Sequence, residues 1–327
     1  MAFGSFWHTG QIMSDPQNEL GRLIPLLQDL IGLGERALQR QLPSKSLSPE
    51  EFAERVAFRW QRNARGGALR AIDHPDLFSL GNLRGVERQV NLLRRNTQQF
   101  LKGLPANNVL LWGDRGTGKS SAVRGLLEEF SSQGLRMVEV QKEDLFDLFE
   151  IARQLRGRPE RFILFCDDLS FDENEIDYRA LKALLEGGLE ARPENVLVYA
   201  TSNRRHLLPE RITDNTDQEE IHPEERVAEK LSLSDRFGLS LGFYPFSQED
   251  YLDIVGFLAK KERLQLHPTL LRQQALNWAA LRGGRSGRVA RQFVNDLCGR
   301  LGLEAEQKNE ISEKTNKQDI FRNGEEV

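Results

Sequence analysis

The sequence predicts an α/β protein: a parallel sheet with crossover helices, preceded by a helical N-terminal region and followed by a helical lid. Three observations carry the prediction. From about residue 83 onward, short apolar runs alternate with segments of helical period. A glycine-rich turn, Gly113 to Gly118, lies between one such run and a helix start. A continuous apolar run, Phe162-Ile163-Leu164-Phe165-Cys166, ends in the pair Asp167-Asp168, as suits a strand buried on both faces.

Taken in order, residues 1–80 read as a helical region. Leu20, Leu23, Ile24, Leu27, Leu30 and Ile31 recur at helical spacing, and Pro43 closes the segment. A second helix is expected from Ser48 to about Arg62, opened by Ser48-Pro49-Glu50-Glu51, a cap followed by proline and acids in the first turn. Arg55, Arg59, Arg62, Arg65 and Arg70 interleave there with Phe58 and Trp60, and no acidic residue lies between Arg55 and Arg70. Such a run is either a phosphate-tracking face with a stacking aromatic or, as we favour, a solvated face docked on acidic neighbours.

Residues 81–245 read as the αβα core. Strands are expected near 108–112, 136–141, 162–167, 195–200 and 239–243, with helices near 119–130, 143–156 and 177–188. The acidic stretch Glu210–Glu229 reads as a surface insertion. After Pro245 the strand signals stop, and residues 246–303 read as a lid of three helices near 247–262, 268–281 and 286–302. Ser247 and Asp250 form a capping-box-like start for the first of these. The tail 304–327 is polar and without apolar periodicity, which predicts disorder.

Composition narrows the class of function. Apolar residues make up 39% and charged residues 29% of the 327, with a net charge of −4, which describes a globular chain without a global nucleic-acid signature. Cys166 and Cys298 match no metal-ligand spacing and read as reduced thiols. No apolar run reaches the length of a membrane span, and residues 1–13 lack the pattern of a signal peptide, so the expectation is a cytoplasmic protein with no membrane partner.

The chemistry concentrates in Asn107 to Ser121, N-N-V-L-L-W-G-D-R-G-T-G-K-S-S. Gly113, Gly118, Lys119 and Ser120 fill the fixed positions of G-x-x-x-x-G-K-[ST], the P-loop pattern, with Asp114, Arg115, Gly116 and Thr117 between them and Ser121 following. Glycines allow the backbone to curl so that its N–H groups surround a phosphate at the helix start. Lys119 would reach the β/γ-phosphates, and the Ser120 hydroxyl would take one place on Mg²⁺.

The partners of such a loop follow downstream. Asp167 would hold Mg²⁺ through water, and Asp168 would orient or deprotonate the attacking water; a paired Asp can also cap a helix. Asn203, after the next strand, can hydrogen-bond a γ-phosphate and the lytic water, or simply close a turn. Arg236, in Leu233-Ser234-Asp235-Arg236-Phe237-Gly238, is a candidate finger for a neighbouring subunit's ATP, or an intrachain ion pair. Arg288 is the first choice for a lid arginine reaching the nucleotide, because it stands two residues before the small Ala290; Arg285 and Arg291 remain alternatives.

In this order the motifs resemble the AAA+ ATPases over residues 83–302, and N-N-V-L-L-W-G-D-R-G-T-G-K-S-S, F-C-D-D-L-S-F and K-L-S-L-S-D-R-F-G-L resemble the bacterial AAA+ family DUF815. The resemblance implies a five-stranded sheet of order 5-1-4-3-2 with a helical lid, and a role for Gly85 and Val86 in an adenine pocket. The chain departs from most of the superfamily in carrying Asp168 where Glu is usual. Similar Asp-Asp pairs in initiators and helicase loaders imply a slow, switch-like enzyme.

Three classes of role compete. The favoured one is a Mg²⁺-dependent ATPase acting as a switch or remodeller, a homo-oligomer through Arg236 with a protein partner of unidentified kind. The second is a nucleic-acid-associated ATPase using the arginines of 55–70; the chain ends soon after the lid, which leaves no room for a winged helix. A threading unfoldase ranks third, because Val140-Gln141-Lys142-Glu143-Asp144 lacks an aromatic-hydrophobic-glycine pore loop.

Overall fold

The computed structural model describes residues 47–63, 66–171, 177–186, 192–205, 207 and 233–323. The helix expected around Leu20–Ile31, the insertion Glu210–Glu229, and Arg65 lie outside the described residues. The chain divides into two compact units, Met1–Ser46 with Gln61–Ala68, and Leu47–Trp60 with Leu69–Val327. Packing and the site below belong to the second unit.

The strands are β1 (Ala57–Asn63), β2 (Gly66–Ala71), β3 (Val109–Gly113), β4 (Leu135–Glu139), β5 (Arg161–Cys166), β6 (Val196–Ser202) and β7 (Leu239–Phe243). The described helices are α1 (Pro49–Glu54), α2 (Glu87–Leu101), α3 (Lys119–Phe130), α4 (Leu148–Leu155), α5 (Asp177–Glu186), α6 (Gln248–Lys261), α7 (Pro268–Leu281) and α8 (Gly287–Asn323). The strands form one seven-stranded sheet of order β2-β1-β4-β5-β6-β3-β7, with parallel pairing from β1 through β7. The sheet has seven strands rather than the expected five, and its order differs accordingly: β1 and β2 are added at the edge beside β4.

That addition corrects the helix expected over 48–62. Ser48 and Glu51 do make a full capping box, but α1 ends at Glu54. Beyond it the side chains alternate, with Phe58 and Trp60 buried and Arg59 and Gln61 exposed, and a period of two is a strand. Of the arginines whose spacing reads as helical, Arg59 and Arg62 therefore lie on β1 and Arg70 on β2, while Arg55 is the C-cap of α1. Arg55 pairs with Asp73 at 2.9 Å and Arg59 with Glu139 at 2.6 Å, its parallel neighbour in register on β4. Trp60 is 2% exposed and donates from Nε1 to Asp147 at 2.9 Å, so its ring is packed away from any stacking base.

The alternation continues across the sheet and sorts it into two cores. On β5, Ile163 and Phe165 join Val109, Leu111, Leu197 and Tyr199 on the face covered by α2, α3 and the lid helices α6 to α8. Phe162, Leu164 and Cys166 join Leu110, Val196 and Val198 on the face covered by α4 and α5. Burial on both faces is what the continuous apolar run of β5 requires. It also pushes the Cys166 thiol up to about 12, which makes it an inert core residue.

Three helices, α6 to α8, follow β7. Ser247 accepts from the Asp250 amide, and Asp250 caps back onto Ser247, so aspartate serves in the capping box where glutamate is usual. The last helix runs on to Asn323, whereas the polar composition after 304 predicts disorder. Among the described residues, no helix is long and apolar enough to cross a membrane.

Candidate nucleotide site

The loop between β3 and α3 is held by contacts that only glycine permits. Gly113 has a φ of 126°, and a Cβ there would lie 1.9 Å from the Phe243 carbonyl oxygen of β7. The Asp114 amide donates to that same oxygen at 3.1 Å. Gly116 has a φ of 75°, and its Cβ would meet Ser286 Oγ at 2.8 Å at the start of the lid's last helix. Thr117 closes the turn by donating to the Asp114 carbonyl at 2.7 Å. The result is a curled backbone at the N-terminus of α3, the shape in which amide groups cradle an anion.

Lys119 is 7% exposed. Its ammonium donates to the carbonyls of Gly113 (2.7 Å) and Asp114 (2.8 Å) and to Asn203 Oδ1 (3.2 Å), which uses its three protons. Burial lowers its pKa from the ordinary 10.5; Asp168, Asp114 and Asp167 act against that, and Arg288 adds to it.

The strand ends beside it carry the acids. Ser120 Oγ donates to Asp167 Oδ1 at 2.6 Å, and Thr201 Oγ1 donates to the same oxygen at 2.5 Å. Asn203 Nδ2 donates to Asp168 Oδ1. Asp168 has a φ of 53°, in the left-handed region that non-glycine residues seldom occupy.

These groups line one cleft of about 670 Å³, within the range of small-molecule sites. Arg115, Gly116, Thr117, Gly118, Lys119, Ser120, Ser121, Asp167, Asp168, Asn203 and Arg288 all line it. Gly113 and Asp114 stand behind its wall and act through their carbonyls on Lys119. Gly85 and Val86 do not line it: Val86 is 3% exposed and packs in the core beneath α2, while their neighbours Leu83 and Arg84 form the wall with Phe246, Ile254 and Leu258. That end of the cleft is apolar enough to take a flat ring, with the Arg84 guanidinium 4.3 Å from the Phe257 ring centroid behind it.

Of the three lid arginines, Arg288 and Arg291 line the cleft and Arg285 does not. Arg291 is paired with Glu262 at 3.4 Å. The Arg288 amide donates to the Gly116 carbonyl at 3.4 Å, so the lid touches the loop through its backbone as well. Arg236 lies elsewhere: it pairs with Glu186 at the end of α5 and does not line the cleft. Arg124, paired with Asp76, and the wall residues Leu83, Phe246 and Ile254 also line the cleft and belong to no motif in the sequence. Only the packing of distant segments brings those together; the signal within reach was Leu83-Arg84 beside Gly85.

Among the described residues, no cluster of three His, Cys, Asp or Glu side chains forms a metal cage. Ser120 and Asp167 offer a hydroxyl and a carboxylate in contact, the hard oxygen donors with which Mg²⁺ is held alongside phosphate oxygens.

The parallel sheet, the glycine turn opening α3 and the acids at the end of β5 define a P-loop α/β protein. More narrowly, the chain belongs to the family described as protein of unknown function (DUF815), whose model matches residues 53–301. No curated protein matches it. Among solved structures it is similar to a mutant of RuvB from Thermotoga maritima, at 18% identity and a TM-score of 0.45 over 69% of this chain and 67% of that one. It is also similar to the Walker-type ATPase paby2304 of Pyrococcus abyssi (15%, 0.44, 76% and 79%). A third is the Aeropyrum pernix ORC1 protein in complex with DNA (20%, 0.44, 72% and 62%).

Proposed function

We propose that the protein is a Mg²⁺-dependent AAA+ ATPase of slow turnover that works as an oligomeric switch or remodelling factor. The observation that carries the reading is the meeting of Lys119, Ser120, Asp167, Asp168, Asn203 and Arg288 around one cleft, contributed by the loop, two strand ends and the lid. A glycine cradle supports phosphate at the start of α3, and the apolar end supports the base.

Within this reading Lys119 holds the β/γ-phosphates, and Ser120 and Asp167 hold Mg²⁺, which when bound neutralises charge on the phosphate oxygens. Asp168 receives or orients a proton of the attacking water, and Asn203, already bonded to both Lys119 and Asp168, fixes that water against the γ-phosphate. Arg288 adds positive charge from the lid, and its amide contact with Gly116 gives phosphate occupancy a direct route to lid position. Arg236 is the group offered to a neighbouring subunit, and the remodelled target is a protein.

The test is binding and hydrolysis by the full chain. Wild type binds ATP in the presence of Mg²⁺ and Lys119→Ala does not; equal affinity of the two overturns the site. Affinity capture with Asp168→Asn in the presence of ATP identifies the target, and recovery of nucleic acid in place of protein overturns the remodelling role.

A further inference from the structure

Thr201 lies at the end of β6, 1% exposed and uncharged, yet it grips three successive residues of the acid segment. Its Oγ1 donates to Asp167 Oδ1 at 2.5 Å and accepts the Asp168 amide at 2.8 Å. Its carbonyl accepts the Leu169 amide at 2.7 Å. A threonine hydroxyl has one proton and two lone pairs. Since the Asp168 amide supplies the proton of its own bond, the hydroxyl proton is left for Asp167.

Asp168 needs such a grip. Its backbone is left-handed, at φ 53°, a region that L-residues other than Asn and Asp seldom occupy and that even these hold best with local hydrogen bonds. An unheld residue would relax toward the extended region and swing its carboxylate off Asn203. The strain is carried by the bonds from Thr201, assisted by Ser202 Oγ, which donates to the Leu169 carbonyl at 2.7 Å. The other acid is held by the same hydroxyl. Asp167 Oδ1 accepts from both Ser120 and Thr201, so Thr201 fixes its carboxylate whichever way Ser120 turns.

We propose that Thr201 is the positioning residue that sets both acids at once, coupling Asp167, on the metal side, to Asp168, on the water side, through one hydroxyl. The inference rests on the ATPase reading above and assigns it a residue at the cleft wall whose hydroxyl is committed to Asp167 and the Asp168 amide. It has a consequence a merely structural threonine lacks: losing the hydroxyl impairs the Mg²⁺-dependent part of nucleotide binding along with hydrolysis, and leaves the Mg²⁺-independent part intact.

The experiment compares full-length wild type, Thr201→Val, which keeps the shape, and Thr201→Ser, which keeps the hydroxyl. Binding of a fluorescent ATP analogue is titrated with and without Mg²⁺, and turnover is measured alongside, with melting temperature recorded for each. Thr201→Val is expected to bind like wild type without Mg²⁺, to need about 10- to 100-fold more Mg²⁺ for its effect on affinity, and to turn over at least about tenfold more slowly. Thr201→Ser is expected to recover both to within about threefold of wild type. A Thr201→Val protein with unchanged Mg²⁺ dependence and rate overturns the proposal, as does a Thr201→Ser protein as impaired as Thr201→Val, which would put the effect in the methyl group. Failure of wild type itself to bind the analogue would overturn the ATPase reading instead, and is read before any variant.

Discussion

The ammonium of Lys119 donates to Asn203 Oδ1 at 3.2 Å, so the lysine of the glycine-rich turn and the asparagine at the end of β6 act on the same corner of the cleft. Because burial lowers the Lys119 pKa from the ordinary 10.5, this lysine sheds its proton at a lower pH than a free one. A phosphate is held by the protonated form. Affinity for ATP is therefore expected to be level at lower pH and to fall as pH rises through that lowered value, with proton uptake on binding above it. Isothermal titration of wild type in alkaline buffers of differing ionisation enthalpy measures both effects.

Gly113 faces the Phe243 carbonyl so closely that a Cβ would stand 1.9 Å from its oxygen. Gly134, in contrast, has a φ of 91° but nothing within 4 Å of its Cβ position. The pair separates backbone strain from steric overlap. Gly134→Ala is expected to cost about 1 kcal/mol, and Gly113→Ala about 3 kcal/mol or more, because β7 must shift away from β3. Denaturant unfolding of the two variants checks the difference.

What the sequence made legible follows the same physics. That the turn from Gly113 to Ser120 and the acids Asp167 and Asp168 meet at one cleft was legible because glycines, lysine and serine recur there at fixed short spacing and a buried strand has to be apolar throughout. β1 escaped notice because arginines at 55, 59 and 62 mimic helical spacing, while the alternation of Phe58 and Trp60 with Arg59 and Gln61 spans only four residues. Thr201 gave no signal either, since a threonine at a strand end reads as a β-former. Its role appears only once Asp167 and Asp168 are seen across the strand gap.

The left-handed backbone of Asp168 also decides how that position responds to change. Asn and Asp tolerate the region better than longer side chains do. Asp168→Asn is expected to keep the backbone and ATP affinity while slowing hydrolysis about a hundredfold. Asp168→Glu, although it keeps the carboxylate, is expected to lower the melting temperature and not to exceed the wild-type rate, because its extra methylene enters a segment that Thr201 and Asn203 hold for the shorter side chain. Single-turnover hydrolysis with thermal unfolding checks both variants.

Arg236 offers the sharpest test of assembly. It is tied to Glu186 within its own chain, and among the described residues its buried Nε has no hydrogen-bond partner, so the ion pair leaves part of the guanidinium uncommitted. If it serves a neighbouring subunit, it leaves Glu186 to do so, and the ion pair is a resting state of that finger. Glu186→Gln is then expected to hold or raise the ATPase rate, whereas Arg236→Ala lowers it about tenfold or more. Mixing decides between the roles. Subunits carrying Arg236→Ala regain activity when combined with subunits that retain Arg236 but carry Asp167→Ala and Asp168→Ala, since each supplies what the other lacks at a shared site. An intrachain role predicts no rescue at any mixing ratio, together with equal losses from Glu186→Gln and Arg236→Ala. Turnover measured against mixing ratio distinguishes the two, because complementation peaks at intermediate ratios and simple dilution falls linearly.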